Sequence, residues 1–308
     1  MSLIAWSDTS LRLLWLDPEH RVVSRAREGG EELAGRPTHV LAIGGHDPVV
    51  LVAYRFLLSA ACLAPWALRR KNPLAHMKEA AILAAILGAL YLTQTIGLRY
   101  TSASNSGFIT GLFVIFVPIF LLLFFKKPPT TVQWGSSLLA LGGLWLLMGG
   151  IANCNRGDLL TIVAAVTYSA HLLATDVYVR ADADAILLAF HQFWMTGLIS
   201  FAFALAGGRP MTVGKPGAAE VIVFLALIPT LSAFYIQMVA QKSTSPVKVS
   251  LIFSLEPVFA ALFSWTLGGE VFVPARAAGG GLIVAAMMAG ELSKLPLLKG
   301  RKKEVLPA

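Results

Sequence analysis

Charge is what this chain has least of: Asp, Glu, Lys and Arg make up only 14% of its 308 residues. A soluble domain carries about 25%. With 56% apolar residues and a mean hydropathy of +0.70, the composition excludes a soluble globular protein and implies an integral membrane one. Cysteine is almost absent. Cys62 and Cys154 lie in or beside apolar runs with no His or Cys at ligand spacing, which excludes a disulfide framework and a zinc site. A phosphate-cradling glycine loop and a Ser-His-Asp set are also lacking, so direct ATP drive and an embedded enzyme are not expected, and neither is a cofactor. His171 and Asp176, five residues apart, point about 140° from each other on a helix and cannot act as an acid–base pair there.

What the chain has instead is long apolar runs. They fall at 48–68, 80–99, 103–125, 132–151, 157–178, 185–206, 219–240, 247–267 and 275–291, each close to the 17–25 residues that cross a bilayer. Nine spanning helices are expected, joined by short linkers with breaker residues such as Lys126-Lys127-Pro128-Pro129 and Gly207-Gly208-Arg209-Pro210. The excess of Lys and Arg, +8 in all, reads as topology rather than as a nucleic-acid surface. With the basic tail 292–308 in the cytoplasm, alternation puts eight loop Lys and Arg beside the tail's five, against five on the opposite side. That bias fits insertion in the inner membrane with the carboxyl end on the cytoplasmic side.

The chain also repeats itself. YTSASNSGFITGLFVIFVPIF from Tyr100 parallels KSTSPVKVSLIFSLEPVFAAL from Lys242 at an offset of 142. Asp47-Pro48 and Tyr54-Arg55-Phe56 parallel Asp184-Ala185 and His191-Gln192-Phe193 at an offset of 137. The second half, 152–291, holds five expected helices, and an odd number inserts the halves in opposite directions. The first half, 47–151, holds four, because the stretch 20–42 carries four Arg and three Glu and cannot span lipid.

YRFLLSA at 54–60, TSASNSGFITGLFVIFVPIF at 101–120, GDLLTIVAAVTYSAHLLATDVYV at 157–179 and KSTSPVKVSLIFSLEPVFAALFSWTLGGE at 242–270 resemble the drug/metabolite transporter superfamily, and within it the EamA-like permeases. The resemblance covers about 47–291. It implies an all-α integral membrane protein of ten helices in two inverted repeats, moving a small metabolite such as an amino acid or drug by alternating access. The family's first helix has no counterpart in residues 1–46. That segment is therefore expected to be foreign to the fold, the product of a frame error or wrong start that would leave the permease inactive. The expected partners are a small-molecule substrate, the lipid bilayer and, left open, a second copy in a homo-oligomer.

Several residues stand out against this apolar background. Glu256 lies near the middle of its run beside Pro257, where a carboxylate costs about 2.5–3.5 kcal/mol on insertion scales; it either carries protons or bonds backbone groups freed by the proline kink. Gln94, Asn105 and Thr110 could face a cavity, while Gly107 and Gly111, four apart, suit close helix packing. His171, His191 and Gln192 are candidates for solute or proton contacts. Arg55, the repeat mate of Gln192, either snorkels to the surface or pairs with a carboxylate substrate. Tyr235 and Gln237 add polar groups after the expected kink at Pro229.

Overall fold

The computed structural model describes residues 47–150, 155–212, 218–266 and 271–292, and every regular element in them is helical. Residues 1–46, the tail beyond Leu292 and Cys154 lie outside the described residues, and with them the expectations of a foreign leading segment and a basic cytoplasmic tail. α1 (Pro48–Ala67) opens with proline at its first position and Asp47 as N-cap, whose carboxylate accepts the Val49 N–H. α2 (Met77–Gly97) is next, then α3 (Ala103–Gly111) and α4 (Phe113–Leu123), two pieces of one span. α5 (Thr131–Met148) and α6 (Arg156–Arg180) each begin with a reciprocal capping box, Thr130 with Gln133 and Asn155 with Asp158. α7 (Ala185–Ala206) is capped by Asp184. α8 (Ala218–Leu225), a π-helical segment (Ala226–Ser232) and α9 (Ala233–Gln241) form one rod. α10 (Pro246–Phe253) and α11 (Glu256–Thr266) form another, and α12 (Pro274–Leu292) ends the described chain.

Eight stretches, from Pro48–Ala67 to Pro246–Phe263, are long and apolar enough to cross a membrane. The ninth rod, α12, is not among them. It has Arg276 in its first turn and three consecutive glycines, Gly279 to Gly281, which lower its hydropathy without shortening it.

Two spans break at matched places. α4 begins after Leu112, and α10 gives way to α11 at Ser254-Leu255, 142 residues further on for Leu112 and Ser254. In the second break the cause is local: Pro257 has no N–H to give, and its ring crowds the carbonyl four residues back.

Two of the three most extensive helix contacts join repeat mates. α1 lies along α7, α2 along α6 and α5 along α12 as the three most extensive helix contacts. The first and third of these pairs are antiparallel. At the α1–α7 ends, Asp47 pairs with Arg209 and Arg70 with Asp184. In the other pair, Gly143 meets Gly279 while Ser136 meets Gly290. A Cβ at Gly143 would stand 2.6 Å from the Gly279 carbonyl, and one at Gly279 2.6 Å from the Gly143 carbonyl. Only glycine permits that approach, as at small-residue crossings generally. Gly107 and Gly111 serve α3 in the same way, resting on Met148 and Leu144 of α5.

Candidate functional site

The π segment exists because the backbone widens around Pro229, and hydroxyls take up the carbonyls it frees. Thr230 Oγ1 donates to Leu225 O at 2.8 Å and Ser232 Oγ to Leu227 O at 2.7 Å, while Ser59 Oγ of α1 donates to Ala226 O at 2.9 Å. Such π bulges recur at functional sites. Here the widening presents Thr230 to Arg55, whose Nε donates to Thr230 Oγ1 at 3.0 Å. Arg55 Nη2 donates to the Tyr91 hydroxyl, also at 3.0 Å, and the guanidinium lies 4.7 Å from the Tyr91 ring centroid and 5.0 Å from that of Phe56. Arg55 does not snorkel; it is only 3% exposed. Its named partners are neutral hydroxyls and aromatic faces, a setting that favours a cation without neutralising it.

Glu256 occupies the first turn of α11, where the helix dipole favours a negative charge. Three residues before it, on the other side of the break, the Phe253 ring stacks on Tyr168 at 6.1 Å. One apolar cluster takes in Phe56 and Tyr91 beside Arg55 and Tyr168 and Phe253 toward the α10–α11 break. Tyr168 also packs edge-on against Phe113 at 4.6 Å, and Phe56 touches Tyr91, Phe193 and Phe234.

Two smaller polar pairs flank these residues. Gln94 Nε2 donates to Thr110 Oγ1 at 3.1 Å across α2 and α3. His171 Nε2 lies 3.2 Å from Gln192 Oε1. Both of those side chains are fully buried, and His171 Nδ1, Gln192 Nε2 and the nearby Thr175 Oγ1 have no protein partner. Among the described residues no group of three or more His, Cys, Asp or Glu could hold a metal ion.

At one end of the α1–α7 pair stands a third charged group. Asp47 accepts from Val49 N, from Arg99 Nη2 at 2.6 Å and from Arg209 Nη1 at 2.7 Å. Partial burial pushes its carboxyl upward, but the Val49 N–H and the Arg209 and Arg99 guanidiniums outweigh burial and hold it below the ordinary 3.8. The same end holds a hydrogen bond from Thr101 to Asp158.

A comparison with protein families matches the description "EamA-like transporter family" over residues 40–149 and again over 155–289. The chain belongs to the EamA-like transporter family. An "Uncharacterized transporter" of Archaeoglobus fulgidus is 31% identical over 206 residues, 67% of this chain and 65% of that relative's length. A second one from the same organism is 22% identical, with 71% and 79% covered, and the uncharacterized transporter YdfC of Bacillus subtilis is 24% identical, with 74% and 76% covered. A crystal structure titled only "Crystal structure of protein" superposes with a TM-score of 0.71 at 17% identity, covering 95% of this chain and 96% of that one. It shows the fold alone. The chain is thus a multi-pass membrane transporter rather than an enzyme.

Within this EamA-like transporter, Gln94 meets Thr110 and His171 meets Gln192, while Arg55 touches the aromatic cluster that Phe253, three residues before Glu256, packs against. His191 is diverted. Its Nδ1 accepts from Trp194 Nε1 at 3.1 Å, leaving Nε2–H to donate to Pro73 O at 2.8 Å, so it ties down the loop after α1. Gln237 bonds Gln241, and Tyr235 lies exposed. Asn105 is buried, with its N–H on the Ser102 hydroxyl. Tyr91, Tyr168 and Thr230 do not stand out in the sequence. Thr230, immediately after Pro229, carries the only local signal: a hydroxyl positioned to take a carbonyl freed by the kink.

Proposed function

We propose that this transporter is a secondary carrier of a small, apolar-bodied metabolite bearing a carboxylate, moved across the inner membrane by alternating access, with its carboxyl end in the cytoplasm. The observation that carries the reading is Arg55. A guanidinium held in the membrane interior by neutral hydroxyls and ring faces is costly unless an anion is brought to it. A carboxylate solute answers that need, with the Phe56, Tyr168 and Phe253 rings to receive its apolar body. Glu256, at the α10–α11 helix break, is the group positioned to take up and release a proton, because ionisable side chains at membrane depth serve as relays between the two sides. The matched breaks in α3–α4 and α10–α11, together with the π segment at Pro229, are places where backbone groups can line a cavity at that depth. The test is solute counterflow into proteoliposomes of the purified chain with labelled apolar carboxylates and their amides. Exchange confined to the carboxylates supports the reading, and exchange of amides and carboxylates alike refutes it.

A further inference from the structure

Asp47 and Asp184 hold the same position in the two repeats and do the same thing. Each caps its helix through Oδ1, Asp47 accepting from Val49 N and Asp184 from Ile186 N, both at 2.9 Å. Each then presents Oδ2 to an arginine three residues beyond the end of the antiparallel partner helix: Arg209 after Ala206, and Arg70 after Ala67. A second tie repeats as well. Tyr54 OH donates to Met211 O at 2.7 Å, and its repeat mate His191 donates to Pro73 O at 2.8 Å. The α1–α7 pair thus carries one compound clasp at each end.

The two clasps are not equal. The Asp47 carboxylate is 10% exposed and is held by two arginines, with Arg209 15% exposed and its guanidinium also over the Phe203 ring at 5.7 Å. The Asp184–Arg70 pair is 32% and 44% exposed, holds one arginine and is longer at 3.1 Å. An ion pair is worth little in water and more when it is dry and multiply bonded, so the Asp47 clasp is the stronger of the two.

We infer that Asp47–Arg209/Arg99 and Asp184–Arg70 are alternating gate latches, and that in this conformation the Asp47 end is closed while the Asp184 end is free to open. The inference rests on the alternating-access reading. Inverted repeats supply its physical basis: if the halves exchange conformations, whatever is tight at one end becomes slack at the other.

The test uses asparagine, which caps a helix as well as aspartate does, so that Asp47→Asn and Asp184→Asn remove only the charge. Spin labels at Tyr100 and Gly208 report the Asp47 end, and labels at Lys71 and Asp182 report the Asp184 end, each pair measured by pulsed dipolar spectroscopy on full-length protein in nanodiscs. The expected result is that Asp47→Asn, and Arg209→Gln with the cap untouched, shift the populations about tenfold toward a longer distance at the Asp47 end and a shorter one at the other. Asp184→Asn shifts them by no more than about threefold, in the opposite sense. Two anticorrelated populations in the unsubstituted protein that neither Asp47→Asn nor Arg209→Gln moves would overturn the latches and leave alternating access standing. A single population at both ends in every variant would overturn both.

Discussion

Phe56 and Phe193 are repeat mates, 137 residues apart in the chain, and their rings touch with centroids 5.7 Å apart. Mates that touch each other mark where a pseudo-twofold axis passes. α5 and α12 likewise cross antiparallel, at Gly143 and Gly279. Arg55, the residue before Phe56, therefore lies beside the axis that relates the halves, the place at which the proposed solute site stays fixed under the proposed alternating access.

The Gly143–Gly279 crossing makes a sharp prediction about packing. Gly143→Ala puts a methyl against backbone, with the Gly279 carbonyl at 2.6 Å and Ile283 N at 2.9 Å, and overpacking of this kind costs about 1–3 kcal/mol. Gly142 has nothing within 4 Å of its would-be Cβ, so Gly142→Ala is expected to be neutral, or stabilising by up to about 1 kcal/mol through helix propensity. Thermal unfolding in detergent distinguishes them, and equal melting of the two variants would contradict the packing described.

The acid response of the Asp47 clasp comes from its depressed carboxyl. A carboxylate held below its ordinary value contributes stability above that value, and the contribution is lost as pH falls through the folded-state one, here below 3.8. The stability difference between the unsubstituted chain and Asp47→Asn is therefore expected to stay constant from about pH 8 to about pH 5 and to shrink below about pH 4. Unfolding curves across pH check this. A difference that already vanishes between about pH 6 and pH 5 would contradict it.

Glu256→Gln separates coupling from binding. Counterflow is expected to persist and proton-gradient-driven uptake to be lost, with the protein still folded and inserted. Driven uptake equal to that of the unsubstituted chain would remove the proton role, and loss of folding would mark Glu256 as a support for the helix break.

Much of this arrangement was legible because it is local or repeated. The offset of 137 tied Asp47 to Asp184 and Tyr54-Arg55-Phe56 to His191-Gln192-Phe193, and Glu256-Pro257 stood out against an apolar run. The setting of Arg55 itself was not legible. Thr230 reaches Arg55 across 175 residues and Tyr91 across 36, and no periodicity encodes a π widening. The partner of His191 was hidden for the same reason: its Nε2 meets a carbonyl 118 residues away.

Orientation is tested by single cysteines in a background lacking Cys62 and Cys154. Cysteines at Arg70 and Lys127 are expected to react with an impermeant thiol reagent only from the cytoplasmic side, and one at Gly208 only from the opposite side. Equal reactivity at Lys127 and Gly208 would break the helix count between them.

Counterflow with Arg55→Gln tests the central claim most directly. Truncating one member of a buried charge pair costs about 2–5 kcal/mol. The half-saturation concentration for a transported carboxylate is therefore expected to rise at least about 30-fold, while folded yield and the matched breaks in α3–α4 and α10–α11 are retained. An Arg55→Gln variant that exchanges the carboxylate with unchanged half-saturation would show that the guanidinium serves the fold and that the solute passes elsewhere.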